Sequence, residues 1–554
     1  MNSNHHLGLG MFALVGVALA LMREAPAQCA WPTTRLATPS GISFGASVAI
    51  DGPRALIGAP AESIVAPEFG AAHLFELQAG WSEVKSLSPT APPASGRFGS
   101  SVALGGDTAF VGAPTLALFG GTVHVFERDH GGPGNWGESQ VLFASDTAMV
   151  GLFGSALALS HDTLLVGAYY TDGVAGRAYL FRRLSTSSWT QVKVLVPSQP
   201  GGLRYFGASV ALRDDLAIVG ATRDIGANGI ATGAAYVYQR DAGGPDQWGE
   251  VARLLAPDGA ADDRFGSSVA IGPGVAVVGS PQDADLGYNA GSSYVFERDA
   301  LGHWLLRRKL LASDGGFTAA FGGSLSLLGD ELLIGARGAG VLGQAYVFER
   351  DFGGPGQWGQ RELLQPGPQP VIAWFYGCAV AQSPGQRLIG AHDQWASGSE
   401  GAAYVSVSPN AISVACEPAA STSECRASLT VIGCASASNA GSFRVLAHGG
   451  DGRRLGMLFY ALSASTAKPW GTSIGALCLQ APLQRTVLRA GSGTPGECDG
   501  SLELDWGAFA SSRSTALGQP FVTGQTLHMQ AIWRDAHTSR HTSLSNALQF
   551  TFTP

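Results

Sequence analysis

The sequence is poor in charged residues and contains no basic run. Of its 554 residues only 14% are Asp, Glu, Lys or Arg, and the formal net charge is −8. Proteins that bind nucleic acids neutralise phosphates with clustered lysines and arginines. The sequence therefore predicts no nucleic-acid-binding surface.

Long apolar segments are also missing. The run MFALVGVALALM at residues 11–22 is shorter than the roughly 20 residues that a transmembrane helix needs. It is followed by APA at residues 25–27, a pattern typical of signal-peptide cleavage sites. We predict a signal peptide over residues 1–27, no transmembrane segment after its removal, and a secreted or cell-surface protein.

Glycine, in contrast, is abundant. The chain has 77 glycines, and this abundance together with the low charge argues against helical and disordered classes. An all-β chain with many tight turns is the fold class that this composition predicts.

One phrase recurs along the chain. Phe-Gly occurs at residues 44, 98, 153, 206, 265 and 321, with the variant Phe-Tyr-Gly at 375, and a Gly-Ala or Gly-Ser pair follows each copy at a nearly constant distance. Internal periods near fifty residues are typical of propellers and repeat arrays. We infer seven units.

Each unit contains four short β patterns. In the fourth unit they are FGASVAL, LAIVGA, GAAYVY and QWGEVARLL, joined by turn-forming Asp, Gly and Pro. The second pattern is apolar almost throughout, as expected of a strand buried on both faces. Each unit therefore predicts one four-stranded antiparallel propeller blade.

The tryptophans indicate how the ring closes. Six units have a Trp at the start of the fourth strand, whereas the seventh ends at residues 401–409 without one. The segment WPTTRLATP from Trp31 is similar to WGEVARLLAP from Trp248. We predict that residues 31–37 supply the outer strand of blade seven, which closes a seven-bladed propeller over residues 28–409 and removes its exposed edges.

The Phe-Gly and Gly-Ala-Pro elements resemble the FG-GAP repeats of integrin α-subunit propellers and their bacterial relatives. In that family several blades carry a calcium loop of the type D-x-D-x-D-G. In this chain the corresponding positions are short turns with one or two carboxylates, such as DGP at residue 51, which cannot supply the six to eight oxygens that calcium takes. We therefore predict no cofactor and no metal, with calcium kept only as an implication of the resemblance.

The variable loops indicate a candidate binding surface. Antiparallel connectivity places the loops between strands two and three and the loops between blades on the same side of the propeller, which we call the loop face. Loops on a regular scaffold often carry function, and by the resemblance integrin-like propellers bind partners on such a face. The candidate ligand-binding residues are Tyr169, Tyr170, Asp172, Asp224, Asp283, Asp285, Tyr288, Asp393 and Trp395.

After residue 409 the repeat stops. Alternating runs such as SFRVLAH, GMLFYAL and LHMQAIW predict a smaller β-sandwich-like domain over residues 410–554. Segments such as GECDGSLELDW are similar to a C-terminal module of secreted bacterial repeat proteins.

No catalytic constellation emerges from the sequence. GTSIG at residues 471–475 matches the G-x-S-x-G pattern, but no predicted helix follows Ser473 as a nucleophile elbow requires. Asp535, His537 and His541 are close in sequence, yet their spacing on a strand or loop implies no shared metal face.

Three functions therefore compete. The favoured one is a non-catalytic, monomeric, adhesion-type protein whose loop face contacts a protein or a polysaccharide. The alternatives are a structural envelope component without a specific ligand, and a carbohydrate-active enzyme that uses acidic residues of the loop face.

The chain has seven cysteines, an odd number that leaves one thiol unpaired in an oxidising compartment. Cys378 occupies the position after Phe-Gly or Tyr-Gly that other units fill with small residues such as Ala46 and Ser100. We infer that Cys378 occupies a small, buried site and is the free thiol. The candidates for disulfides are Cys29, Cys416, Cys425, Cys434, Cys478 and Cys498.

Peptide mapping of the unreduced protein by mass spectrometry tests this assignment. We expect three disulfides among the six candidates. Cys478 joined to Cys498 is the first expected pair, and Cys29 joined to Cys416 is a second candidate pair. Cys378 alone should be alkylated without reduction. A bridged peptide that contains Cys378 would overturn the assignment.

Overall fold

The computed structural model describes residues 33–407 and 428–551, apart from short segments within each range. In the first range these segments are 39–41, 63–68, 79, 91–95, 115–119, 147–150, 171–174, 186–187, 200–203, 227–228, 367–373 and 393–400. In the second they are 433–443, 451–454, 470–475, 487–488, 491–499, 514, 523–524 and 535–541. The predicted signal peptide and the predicted boundary at residues 409–410 lie outside the described residues.

The chain divides into two compact units, one of residues 31–413 and one that contains residues 414–554. The described part of the first unit has 28 strands. They are β1 (Thr33–Leu36), β2 (Ser47–Asp51), β3 (Arg54–Ala59), β4 (Ala71–Leu77), β5 (Trp81–Leu87), β6 (Ser101–Gly105), β7 (Thr108–Ala113), β8 (Thr122–Arg128), β9 (Trp136–Leu142), β10 (Ala156–Ser160), β11 (Thr163–Ala168), β12 (Arg177–Ser185), β13 (Ser188–Leu195), β14 (Phe206–Arg213), β15 (Leu216–Ala221), β16 (Ala234–Gln239), β17 (Gly249–Leu254), β18 (Ser268–Gly272), β19 (Val275–Ser280), β20 (Ser292–Arg298), β21 (Trp304–Leu310), β22 (Phe321–Leu328), β23 (Glu331–Ala336), β24 (Gln344–Glu349), β25 (Gly359–Leu364), β26 (Ala379–Ser383), β27 (Gln386–Ala391) and β28 (Ala402–Val407).

These strands form four-stranded antiparallel sheets, which we call blades. Strands β2 to β25 form blades 1 to 6, four consecutive strands in each, and blade 7 has the order β1-β28-β27-β26. In blade 7 the N-terminal strand pairs with β28, with Thr34 opposite Val405. Strand β2 of blade 1 packs against β26 and β27 of blade 7, as β6 packs against β2 and β3. The all-β propeller fold that the sequence predicts is confirmed.

The second strand of each blade is its most buried element. In β19, for example, all six residues of VAVVGS are buried, because this strand has a neighbouring blade on both faces. Burial of one aliphatic side chain contributes about 1.5–3 kcal/mol to stability, so the apolar second strands supply much of the cohesion between blades.

The Phe-Gly step fixes an aromatic pair in every blade. The ring of Phe98 lies edge-on to His124 of strand β8 with 5.3 Å between centroids, and Phe265 makes the same contact with Tyr294 at 5.3 Å. The glycine is required for its approach to the preceding blade: a Cβ atom on Gly99, at φ +90°, would lie 2.2 Å from the carbonyl oxygen of Ala71. No other residue fits there without displacing main chain.

A serine three residues after the Phe joins each of five blades to the next. The buried hydroxyl of Ser101 donates to the carbonyl oxygen of Gly154 in the following blade at 2.6 Å. The same bond is made by Ser47, Ser209, Ser268 and Ser324. In blades 3 and 7 this position is alanine, at Ala156 and Ala379.

In blade 7 the preceding residue, Cys378, makes the equivalent bond where the ring closes. Its thiol donates to the carbonyl oxygen of Gly45 in blade 1 at 3.4 Å. The structure agrees that Cys378 is free, but it corrects the expectation of a buried site, because the residue is only half-buried. The thiol therefore stands at the seam between the last and the first blade.

The second unit consists of smaller sheets. Strands β29, β30 and β36 form one sheet; β34, β31, β37 and β38 form another, with β35 also on β31; and β32 pairs with β33. The strands are β29 (Ser428–Ile432), β30 (Arg444–Gly450), β31 (Leu455–Ala461), β32 (Ala464–Pro469), β33 (Ala476–Leu479), β34 (Gln484–Arg485), β35 (Arg489–Ala490), β36 (Gly500–Asp505), β37 (Thr526–Arg534) and β38 (Thr542–Thr551).

This unit also contains a short helix that the sequence patterns do not predict. Helix α1 (Trp506–Ser512) begins after Asp505, whose carboxylate accepts a hydrogen bond from the amide of Ala508 at 2.8 Å. Trp506 packs against Tyr460 at 5.1 Å between ring centroids. The helix forms because this N-cap and the aromatic contacts outweigh the alternating pattern of the preceding strand.

Replacing Ser101 by alanine tests the bond between blades. We expect Ser101→Ala to lower the free energy of unfolding by about 1–3 kcal/mol, because the buried carbonyl of Gly154 loses its hydroxyl donor. Ser100→Ala is the matched control, since that exposed hydroxyl bonds only to Arg97 in its own turn. Urea denaturation followed by tryptophan fluorescence measures both; equal stabilities would contradict the assigned role of the bond.

Candidate functional site

Main-chain contacts tie the loops of the loop face together. Gly70, at the end of a loop between strands two and three, forms a parallel bridge with Phe98 at the start of the next blade. The amide of Phe98 donates to the carbonyl oxygen of Phe69 at 3.0 Å. The bridge recurs between Gly233 and Phe265. The loops of neighbouring blades are therefore positioned by the same Phe-Gly steps that hold the blades together.

The ammonium group of Lys309 forms ion pairs with three carboxylates in and near the predicted acidic loop of blade 5. Its Nζ lies 2.8 Å from Asp258, 2.8 Å from Asp283 and 2.6 Å from Asp285. Burial alone would lower the pKa of Lys309, but the three carboxylates raise it. The positive charge of the lysine therefore compensates the three neighbouring carboxylates.

Asp283 is consequently not available to a ligand. Its side chain is 4% exposed, and it accepts hydrogen bonds from Ser292 at 2.8 Å and from the hydroxyl of Tyr294 at 3.0 Å. Although burial raises the pKa of Asp283, the bond from Lys309 lowers it, with a net decrease. The structure corrects the prediction of a ligand contact at Asp283, while Asp285 is half-exposed and also bound to Lys309.

The same correction applies to Asp224. This residue is fully buried, where it accepts a hydrogen bond from Tyr236 and forms ion pairs with Arg204 and Arg253. A buried carboxylate needs such partners because its desolvation is costly. Asp224 thus holds its loop against the sheet. Asp224 and Asp283 are therefore both inaccessible as catalytic acids for the enzyme hypothesis.

The predicted tyrosines of blade 3 form an aromatic cluster. Tyr169 lies edge-on to Tyr205 with 5.8 Å between ring centroids, and Tyr170 stacks on Tyr205 at 6.4 Å. The guanidinium of Arg223 lies 5.6 Å from the same ring. Burial raises the pKa of Tyr169, whereas Tyr170 is exposed.

Tyr288 is part of a second, more exposed aromatic pair. Its ring lies 5.6 Å from that of Phe317, and the two side chains are 63% and 71% exposed. Large aromatic side chains this open to water indicate a contact surface more than a core.

The remaining predicted site residues lie outside the described residues. These are Asp172, Asp393 and Trp395. The disulfide candidates cannot be placed either: five lie outside the described residues, and of Cys478 only the backbone, in β33, is described. Ser473, Asp535, His537 and His541 also lie outside.

The structure adds a cavity that the sequence patterns miss. It has a volume of about 600 Å³ and lies on the loop face of blades 5 to 7, where Arg264, Arg337, His392 and Trp374 contribute to its lining. Arg264 immediately precedes a Phe-Gly step, and Arg337 and His392 immediately follow Gly-Ala pairs. The residue before each Phe-Gly step and the residue after each Gly-Ala pair are thus the two repeat positions that carry these basic residues.

Cys378 and His392 meet in the wall of this cavity. The Nδ1 atom of His392 lies 3.2 Å from the Cys378 sulfur. Although the residue is only half-buried, desolvation raises the pKa of the Cys378 thiol to about 11, so the group is protonated at neutral pH and is a poor nucleophile.

The described residues show no metal-binding arrangement of three or more His, Cys, Asp or Glu side chains. Within that same part of the chain, no helix has the length and apolar character needed to cross a membrane.

The fold and its repeated Phe-Gly steps define a β-propeller of regular four-stranded blades. Five stretches match the FG-GAP repeat family, at residues 81–126, 136–181, 189–238, 248–296 and 304–348. Each stretch begins with the Trp strand of one blade and ends in the third strand of the next. The chain therefore contains FG-GAP repeats that form consecutive blades of a β-propeller. No curated protein matches it.

Replacing Lys309 tests its role as an internal cation. We expect Lys309→Met to lower the free energy of unfolding by about 2–3 kcal/mol at neutral pH, because it leaves the buried Asp283 beside two uncompensated, half-exposed carboxylates. The matched control is Lys193→Met, since Lys193 makes a single exposed bond to Gln247.

The pH dependence of this effect has a defined sign. Lys309 lowers the pKa of Asp258 and Asp283, so its contribution is present above the ordinary Asp range and is lost as pH falls through the lowered values. Urea denaturation from pH 7 to pH 3 should show that the stability difference between the native chain and Lys309→Met is constant near neutral pH and narrows at the acidic end. A difference that does not narrow at the acidic end, or none at pH 7, would contradict the assigned role.

Proposed function

We propose that the propeller is a non-catalytic binding domain that contacts an extracellular macromolecule, a protein or a polysaccharide, through its loop face. The observation that carries the proposal is a series of exposed, large hydrophobic side chains on the loops of blades 3 to 7. They are Tyr170, Ile225, Tyr288, Phe317, Val341 and Trp374.

This distribution favours binding over the two alternatives. A structural component without a ligand has no need to keep aromatic side chains such as Phe317 in water, where they invite association. A hydrolase needs a free acid, but Asp224 and Asp283 are buried in ion pairs and the half-exposed Asp285 is paired with Lys309. Rigid anchors such as Tyr288 and Trp374 are, in contrast, common at the centres of binding surfaces.

The rest of the proposal follows from the sequence. The N-terminal pattern favours export, so the partner would be met outside the cell or at its surface. The second unit would serve as a spacer or attachment module, and the propeller would act as a monomer.

The experiment uses purified chain of residues 28–554 on a biosensor against isolated envelope proteins and extracellular polysaccharides of the producing cells. We expect saturable binding by the native chain and at least a tenfold loss of affinity for the double variant Tyr288→Ser, Phe317→Ser. The control is Leu184→Ser, Leu301→Ser, which changes two exposed side chains at the hairpins between strands three and four.

Two results would overturn the proposal. One is the absence of saturable binding to any fraction, which would favour the structural hypothesis. The other is equal binding by both double variants, which would remove the loop face as the contact surface.

A further inference from the structure

The cavity of blades 5 to 7 is large enough to hold a small ligand. Its volume of about 600 Å³ lies in the range of small-molecule pockets, roughly 300–1,000 Å³. Its lining comes from three blades, as the positions of Ser267, Gly338 and Cys378 show. The exposed pair Tyr288 and Phe317 directly adjoins it, because Asn289 and Thr318 are lining residues.

The charged residues in the described lining of the cavity have one sign. Arg264 and Arg337 both line it, and its described lining contains no Asp or Glu. Both side chains are exposed, and among the described residues neither has an ion-pair partner. This contrasts with the chain as a whole, whose formal net charge is −8. Guanidinium groups bind carboxylates through paired hydrogen bonds, so the cavity fits an anionic ligand.

The uncharged lining narrows the ligand class further. Gln282 and Asn289 also line the cavity, and side-chain amides both donate to and accept from hydroxyl groups. Trp374 lines the same cavity and is 41% exposed, which leaves its indole open to the apolar face of a ring. Hydroxyls, one flat apolar face and a carboxylate are together the chemistry of a uronic acid.

We propose that this cavity binds an acidic polysaccharide through its uronate residues. Arg264 and Arg337 bind the carboxylate, Trp374 packs against the sugar ring, and Gln282 and Asn289 hydrogen-bond to its hydroxyls. The inference rests on the proposed binding function of the loop face and assigns a ligand class to it. An acidic peptide shares the carboxylates but lacks the hydroxyls and the ring.

Titration calorimetry with the purified chain tests the proposal on three probes: trigalacturonate, the neutral galactose trisaccharide and hexaglutamate. We expect binding of trigalacturonate that weakens as salt rises, with neither of the other probes binding comparably. Arg264→Gln and Arg337→Gln should each raise the Kd about tenfold or more, because each removes a charge-assisted hydrogen bond.

Two further variants test whether the effect is specific to the residues that line the cavity. Arg213→Gln is the control, since Arg213 is an exposed arginine at the end of a first strand, outside the cavity. Trp374→Ala should weaken trigalacturonate binding by a similar factor. The thermal unfolding midpoint of each variant shows whether a loss of binding reflects a loss of folding.

The proposal is overturned if neutral and acidic trisaccharides bind alike, if hexaglutamate binds more tightly than trigalacturonate, or if both arginine variants bind as Arg213→Gln does. Absence of trigalacturonate binding also overturns it. If, in that case, the native chain still binds an envelope fraction and the Tyr288, Phe317 variant does not, the binding function stands and only the ligand class is wrong.

Discussion

The contact between the aromatic ring that precedes the repeat glycine and a ring of the third strand underlies the whole propeller. It is present in all seven blades, with 5.3–5.5 Å between ring centroids. Such edge-on pairs contribute about 0.5–1.5 kcal/mol beyond their buried area. The adjacent glycine lets the main chain approach the preceding blade, so one dipeptide positions a ring within its own blade and the backbone against its neighbour.

This packing also explains why several acidic loop residues form hydrogen bonds within the propeller. The third-strand partner is Tyr in five blades and His in two, and each buries a polar atom that needs a hydrogen-bond partner. Tyr179 donates to Asp146 at 2.7 Å and Tyr346 to Asp314 at 2.8 Å. Burial lowers the pKa of His73, but bonds to Glu62 and Glu83 raise it overall.

Because some carboxylates are buried in hydrogen bonds and ion pairs, they do not contribute negative charge to the exposed loop face. Asp224 and Asp283, which the sequence pattern assigns to a ligand, instead form hydrogen bonds and ion pairs with tyrosine, arginine and lysine side chains of the propeller. Among the described residues, the lining of the cavity includes the basic and aromatic side chains of Arg264, Arg337 and Trp374. The charged residues in the described lining of this cavity are therefore of the opposite sign to the acidic residues that the sequence pattern indicates.

The sequence by itself determined the repeat and the four-strand unit, because these depend on local periodicity and on a glycine that no other residue can replace. The likeness of the segment after Trp31 to the other Trp strands also indicated its pairing in blade 7. The sequence also pointed to the aromatic side chains Tyr170 and Tyr288. Only the tertiary structure decided which side chains meet across blades. Lys309 is 26 residues from Asp283, and Arg264 is 73 from Arg337; whether such charges pair or stand open depends on packing between strands and blades, which no local pattern encodes.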